Sequence, residues 1–363
     1  MLHWKFQMGW NTTRKALLSS LRHHLLRFIC LSLMFLFYGC WTRLQLANPD
    51  SGHSNSGRDI VILLWYWPLK MSLSLKGDVC WDLYRIPHCT LVDQHLFYPA
   101  ADVVVFHNKE LTQGQKLPFH LPQPSGQRWA WMSLEAPVHN GKLQKYANIF
   151  NLTITYRRDA DVTIPYGELL PKEAGEMADE APTNKTNLIC WVVSNYNSHH
   201  RRSQVFKKLK AVVPVKVYGR WANRVLTAEA LLPTISRCYF YLSFENSISK
   251  DYITEKLWQN AYQARAVPVV LGPPIGDYKA VAPLNSFIHV DNFSSIEALG
   301  KHLQQLAGDK KRYSEYFRWR HKWKVKLYTD WRERLCKICT VYNSLPQHKV
   351  YTDLHAWLNA ANT

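Results

Sequence analysis

Acidic residues are missing from the start of the chain: no Asp or Glu precedes Asp50. Six basic residues stand there instead, Lys5, Arg14, Lys15, Arg22, Arg27 and Arg43. The remaining sequence holds all 27 acids and still carries a net +12 of the total +18, so the body is itself basic. Such charge suits an acidic partner, whether nucleic acid, anionic lipid, nucleotide or acidic glycan, without choosing among them. Two glycine motifs are also missing. Without G-x-G-x-x-G or G-x-x-x-x-G-K-[ST], a dehydrogenase or a P-loop NTPase is disfavoured. No RNA-binding motif accompanies the aromatics, and no internal repeat is present. At 47% hydrophobic and 20% charged residues, disorder and collagen-like structure are excluded. The 363 residues suit two domains of roughly 100–200 residues each. Aromatics make up 13%, with 15 Trp, more than a plain core needs and a weak sign of carbohydrate handling.

Long apolar runs are equally scarce. The longest charge-free one is 28–41, FICLSLMFLFYGCW. Leu25 and Leu26 extend it if Arg27 snorkels to the headgroups. That length fits a thin early-secretory bilayer or a signal-peptide core. No small-x-small cleavage site follows, because Cys40, Trp41, Thr42 and Arg43 are poor candidates. Five basic residues precede the run, which places the N-terminus in the cytosol. The expectation is a cytosolic tail 1–24, an uncleaved signal anchor 25–42, a polar stem 43–58 and a lumenal body; a buried N-terminal helix is the bland alternative.

Six cysteines remain beyond the apolar run: Cys80, Cys89, Cys190, Cys238, Cys336 and Cys339. An even number in an oxidising compartment reads as disulfides. Cys336 and Cys339 have CxxC spacing, but Cys80 and Cys89 make a poor second pair for zinc. Acceptor sequons stand at Asn151, Asn184 and Asn292. Asn11 fits the pattern too, on the cytosolic side.

Apolar β-type runs at 60–67, 102–107, 129–134 and 152–156 form a first set. A polar, acid-rich segment at 171–187 reads as a linker. A second set follows at 188–194, 215–218, 239–244, 267–271 and 287–290, with helices at 202–212, 251–264 and 295–306. Continuous apolar strands alternating with helices imply parallel sheets covered on both faces. The expected architecture is α/β, with two doubly wound domains, 59–186 and 187–363, facing a cleft.

Phe244-Glu245-Asn246-Ser247 ends a strand, where open α/β sheets bind ligands. A helix capped by Asp251 would present Tyr252, Glu255 and Lys256 on one face, and a helix N-terminus beside a Lys attracts phosphate. A solvated polar face is the ordinary alternative. Arg202, just after the strand ending Ser194-Asn195, is a second phosphate candidate; on charge alone Arg201 is its equal. Glu135 ends the aromatic strand and would serve as a general base at a cleft, although a loop Glu more often caps a helix. Asp159 and Asp161 resemble a DxD metal motif, but Arg157 and Arg158 stand beside them as neutralising partners.

These residues carry a resemblance. YLSFENSISKDYITEKLWQNAYQARAVPVVLGP at 241–273 resembles the signature of the α-(1,3)-fucosyltransferases of glycosyltransferase family 10. RWAWMSLEAP, YRRDADVTIPYG and CWVVSNYN are similar to further family blocks, in the family's order, over about 59–357. The tail TDWRERLCKICTVYNSLPQHKVYTDLHAW is most similar to the member that makes sialyl Lewis x; CWVVSNYN is close to other members as well.

The resemblance implies a GT-B fold, an N-terminal acceptor domain and a C-terminal domain for GDP-fucose. It implies inverting transfer to O3 of GlcNAc in N-acetyllactosamine, α-2,3-sialylated or neutral, on glycoproteins or glycolipids at the Golgi membrane. A non-catalytic glycan-binding homologue is the reading from another class. Nucleic acid is not an expected partner, and a homodimer is left open. The family's base maps onto Glu135 and its phosphate-binding cations onto Arg202 and Lys256. Asn246, Tyr252 and Glu255 would lie around ribose and fucose and Tyr218 near the guanosine, with Glu245, Ser194 and Asn195 as further donor-binding candidates. No metal is required, a divalent ion being at most stimulatory. The family's disulfides imply pairing of Cys80 and Cys89 with Cys336 and Cys339, and of Cys190 with Cys238, with a local Cys336–Cys339 bridge as the alternative. Ala136 and Val138 depart from the commoner Ser and hydroxylated residue beside the base.

Overall fold

The computed structural model describes residues 58–173, 175–176 and 182–360. The expected tail, anchor and nearly all of the stem lie outside them. Among the described residues no helix is long and apolar enough to cross a membrane.

The first sheet contains six parallel strands in the order β2-β1-β3-β4-β5-β6. They are β1 (Ile60–Leu64), β2 (Cys89–Val92), β3 (Val103–His107), β4 (Arg128–Ser133), β5 (Leu152–Thr155) and β6 (Val162–Thr163). Both faces are covered, which explains the unbroken apolar runs: Val103, Val104, Val105 and Phe106 are all fully buried. The second sheet is also parallel, in the order β12-β11-β10-β8-β9. Its strands are β8 (Asn187–Val192), β9 (Val215–Tyr218), β10 (Cys238–Phe244), β11 (Val267–Leu271) and β12 (Ile288–His289). The helices include α1 (Val79–Tyr84), α2 (Asn108–Thr112), α3 (Arg201–Val212), α4 (Ala228–Ser236), α5 (Ile275–Val281), α6 (Ile296–Gly308), α7 (Trp331–Val341) and α8 (Leu354–Asn359).

An antiparallel ribbon joins the halves. Strand β7 (Gly167–Pro171) leads out of the first half, and β13 (Trp323–Leu327) pairs beside it on the way back. After β13 the chain returns to the first sheet. Leu335, Cys336 and Ile338 of α7 share one buried cluster with Ile62 and Val103. Leu354 and Leu358 of α8 share another, on the opposite face, with Phe106 and Trp131. The apolar faces of α7 and α8, although they fall within the expected second domain 187–363, thus pack on the first sheet.

Disulfides fasten that return. Cys80 of α1 is joined to Cys336, and Cys89 of β2 to Cys339, with Cα separations of 5.5 and 5.8 Å. Cys190 of β8 is joined to Cys238 of β10, Cα atoms 5.9 Å apart. This pairing is the one the family resemblance implies, and it leaves no local CxxC bridge.

Candidate active site

All strands of each sheet run in one direction, so their carboxyl ends form two edges. Glu135 lies two residues past the end of β4. Its loop is held by a buried network. Asn140 Nδ2 donates to the carbonyls of Glu135 (3.1 Å) and Ala136 (3.0 Å). Asn140 Oδ1 accepts from Ser133 Oγ (2.6 Å) and Asn108 Nδ2 (2.9 Å). Trp131 Nε1 in turn donates to Asn108 Oδ1 (3.0 Å). The Glu135 backbone is thus fixed, while its side chain is exposed and makes no hydrogen bond or ion pair among the described residues. This is a free carboxylate on a rigid mount. Its charge helps keep the Tyr156, Tyr166 and Tyr252 hydroxyls protonated, although burial does more.

Across the cleft is a cavity of about 310 Å³, lined by Val138 from the first half and by Arg202, Glu245 and Asn246 from the second. His139 Nε2 and Asn246 Nδ2 meet at 3.3 Å, joining the two edges directly. Helix α3 begins here with no side chain capping its first turn. Its first two arginines differ in burial. Arg201 is half-exposed and pairs with Asp291. Arg202 is buried, and one Nη donates to the Asn195 carbonyl. Burial pulls the Arg202 pKa down, and the nearby Glu245 carboxylate opposes this. Arg202 Nε and Asn246 Oδ1 are both buried without partners. Buried polar atoms are normally satisfied, so a donor and an acceptor left open at one cavity fit a polar ligand.

Lys256 has a different setting. Its ammonium reaches Thr254 Oγ1 at 2.7 Å, Glu245 at 3.0 Å and Glu255 at 3.1 Å. Burial works against its charge, but the two carboxylates outweigh burial and hold its pKa above the ordinary lysine range. Its three protons are spent, so a phosphate at Lys256 would have to displace one of these partners. Glu245 is buried and also accepts from the Thr254 N–H (2.8 Å) and Oγ1 (2.9 and 3.0 Å). Gly272 allows this, since a Cβ there would meet Glu245 Cγ at 2.8 Å.

The expected helix 251–264 does not begin at Asp251. A helical turn spans Glu255–Leu257 and a π-helical turn Trp258–Gln263. Tyr252, Glu255 and Lys256 therefore do not share one helix face. Asp251 is left-handed, φ 58°, and its carboxylate accepts from Arg158 Nε (2.6 Å) and the Arg158 N–H (3.0 Å). Arg158 Nη2 donates to Asp277 (3.2 Å), which also accepts from the Asp251 N–H (2.9 Å). Tyr252 is carried into the first domain's core, against Tyr156 and Tyr166 at ring distances of 5.1 and 6.4 Å.

Ser194 and Asn195 are exposed just beyond β8, and Tyr218 ends β9. Gly219 has φ 100° and lies where a Cβ would strike the Val193 carbonyl oxygen at 2.3 Å. The DxD acids are spent inside the fold. Asp159 takes Arg157 through both oxygens at 2.8 Å, which lowers its pKa to about 2. Asp161 accepts from Thr153, Lys349 and Tyr351. Among the sequons, Asn184 and Asn292 are exposed, whereas the Asn151 amide donates to the Lys349 carbonyl at 3.1 Å.

Sequence reasoning missed the Arg158 clamp, the His139–Asn246 contact, and Trp221, which stacks on Tyr196 with ring centres 3.9 Å apart. The clamp had one signal, the paired arginines beside the DxD acids.

Two parallel α/β sheets facing a cleft, with a free carboxylate on one edge and open cationic and amide groups on the other, have the architecture of a GT-B-like transferase. Residues 182–357 match the C-terminal domain of glycosyltransferase family 10 (fucosyltransferase), and residues 57–167 the fucosyltransferase N-terminal domain. The chain is 42% identical over 322 residues to alpha-(1,3)-fucosyltransferase 7 of Bos taurus, covering 88% of this chain and 92% of that one. Against the protein of that name from Homo sapiens it is 40% identical over 324 residues, at 88% and 92% coverage. It is 37% identical over 317 residues to 4-galactosyl-N-acetylglucosaminide 3-alpha-L-fucosyltransferase 9 of Bos taurus, covering 86% of each. A crystal structure of an alpha1,3-fucosyltransferase with GDP-fucose superimposes with a TM-score of 0.54 at 17% identity, over 85% of this chain and 96% of that one, and supports the fold. The chain belongs to the α-(1,3)-fucosyltransferases of glycosyltransferase family 10.

Proposed function

We propose that this enzyme moves L-fucose from GDP-β-L-fucose to O3 of GlcNAc in α-2,3-sialylated N-acetyllactosamine, with inversion. The observation that carries the mechanism is the Glu135 carboxylate, free of partners on a held loop whose Val138 lines a cavity with open groups on Arg202 and Asn246. Glu135 takes the proton from the GlcNAc O3 hydroxyl. That oxygen bonds to fucose C1 from one face while the C1–O bond to the diphosphate breaks on the other, and GDP leaves with the electron pair. Arg202 and the uncapped N-terminus of α3 meet the charge that develops on the diphosphate. These groups stand where a metal ion would otherwise be needed. Asn246 orients the donor, and Lys256 acts through Glu245 and Glu255 unless it exchanges a partner for phosphate. The sialylated acceptor is supported by the C-terminal resemblance and by the basic body of the chain.

We assign 25–42 as the membrane anchor and the body to the Golgi lumen. In support, the run 28–41 has no charge, five basic residues precede it, and disulfides persist in oxidising compartments.

The test is Glu135→Gln in the purified full-length enzyme. Transfer is expected to fall by at least about 100-fold, the usual contribution of a general base, with GDP binding retained by calorimetry. Near-normal transfer would overturn the base assignment. Offering sialylated and neutral acceptors side by side tests the acceptor; product on the neutral sugar alone would overturn that part.

A further inference from the structure

The chain leaves β1 at the same edge that carries Glu135 and forms an exposed strap, residues 68–77. This strap has an unusual backbone. Leu69 and Lys70 are consecutive left-handed residues, φ 56° and 58°, a rare and strained conformation for bulky side chains. Buried groups hold them there. The Leu69 N–H donates to Glu110 Oε1 at 2.8 Å, and Glu110 is itself buried against His107. Burial works against the Glu110 charge, but His107 and backbone N–H groups hold its pKa below the usual range. On either side, Trp67 Nε1 is tied to Asp93 at 2.8 Å, and the Ser74 carbonyl accepts from Arg332 Nη1 at 3.0 Å. Arg332 is fixed in turn by Asp330, at 2.7 Å.

What this framework displays is apolar and cationic. Leu69 and Met71 are 55% and 54% exposed. Lys70 and Lys76 are exposed, and neither has an ion pair among the described residues. No acid occurs between positions 68 and 77. Strain held by buried partners and spent on an exposed surface marks a ligand clamp rather than a packing need. Place the strap on the sheet: β1 is two strands from β4, roughly 10 Å at about 4.8 Å per strand. The strap thus leaves the same sheet edge as the Glu135 loop, two strands away.

We propose that this strap is the subsite for an anionic sugar at the far end of the acceptor, with Lys70 and Lys76 receiving its carboxylate and Leu69 and Met71 packing on its apolar face. The inference rests on the acceptor reading above and assigns it to residues. An ammonium–carboxylate contact is charge-assisted and selects against a neutral glycan that lacks the acid.

The test uses the full-length enzyme with the α-2,3-sialylated and neutral acceptors, comparing wild type, the double variant Lys70→Ala/Lys76→Ala, and Lys70→Glu. Two exposed charge pairs at about 0.5 kcal/mol each predict that the double variant's KM for the sialylated acceptor rises about fivefold. Its kcat moves less than about twofold. Raising salt from about 50 to about 500 mM raises the wild-type KM for the sialylated acceptor and leaves the double variant's nearly flat, a readout that a purely structural role would not move. Lys70→Glu raises KM further. An unchanged KM in both variants, with wild type active on the sialylated sugar, overturns this inference alone. A wild type that fucosylates only the neutral sugar overturns the acceptor reading itself.

Discussion

Replacing Arg158 by Ala should loosen the loop that carries the donor-side residues. Arg158 belongs to the first half, whereas Asp251 and Asp277 belong to the second. Their carboxylates are 4% and 5% exposed, and the Arg158 side chain is 45% exposed. Removing one partner of a buried pair costs about 3–5 kcal/mol, because a desolvated charge is left behind. Two features reduce that here. Water already reaches the guanidinium, and each Asp keeps a backbone donor, the Arg158 N–H for Asp251 and the Asp251 N–H for Asp277. The expected loss is about 2 kcal/mol. At about 2.1 cal/mol/K per residue over roughly 300 residues, that lowers Tm by about 3 °C in calorimetry. The loss at the site should be larger than the global figure suggests. Asp251 lies five residues after Asn246, and its left-handed turn is what carries Tyr252 into the first domain's core. The KM for GDP-fucose should therefore rise, and Arg158→Lys, which cannot span both acids, should rescue it poorly. Adding Asp277→Asn to Arg158→Ala should recover part of the Tm by removing one stranded charge. A Tm within 1 °C of wild type (roughly the 1–2 °C expected per kcal/mol) and an unchanged donor KM would refute the reasoning.

The paired disulfides should act non-additively. Cys80–Cys336 and Cys89–Cys339 close nearly the same loop, spanning 256 and 250 residues. Losing either one frees only the small ring between them, worth about 3 kcal/mol in the chain-entropy account; losing the second frees the long loop, about 5 kcal/mol more. Urea unfolding of Cys80→Ser/Cys336→Ser, Cys89→Ser/Cys339→Ser and the quadruple variant measures this, and equal increments would refute it. Lys185 should make stability rise with pH. Burial, and secondarily Arg265, lower its pKa from 10.5 to about 7, while its ammonium donates to the Ser236 and Arg265 carbonyls. Between about pH 7 and 10.5 the unfolded chain holds a proton that the folded chain has released, so the destabilisation is full below about pH 7 and fades as pH climbs toward 10.5. Lys185→Met should lack that increment in urea unfolding at pH 7 and 9, and parallel pH slopes in the two proteins would count against it.

The sheets were legible because strands buried on both faces read as unbroken apolar runs, and the observed β9 and β11 have the predicted bounds. Strand β2 escaped because Cys89–Val92 alternates in burial and lies at the sheet edge, where four residues give little signal. The helix expected from Asp251 failed for a tertiary reason: Asp251 answers to Arg158, 93 positions earlier, and to Asp277, 26 later. The site divides in the same way. Residue types in a motif say which groups are available; only packing says which are occupied. Charge alone could not separate Arg201 from Arg202, and burial does. Charge made Lys256 look like a phosphate ligand, yet its protons are taken by neighbours that include Glu245, eleven positions back. Glu135 is the converse. As a loop carboxylate it is unremarkable, and its sequence neighbours say nothing of the Asn108–Asn140–Trp131 network that holds its backbone while leaving its side chain free. The role proposed for it needs a group fixed in position yet unspent. That combination depends on contacts spanning 23 and 32 residues, beyond the reach of any local pattern.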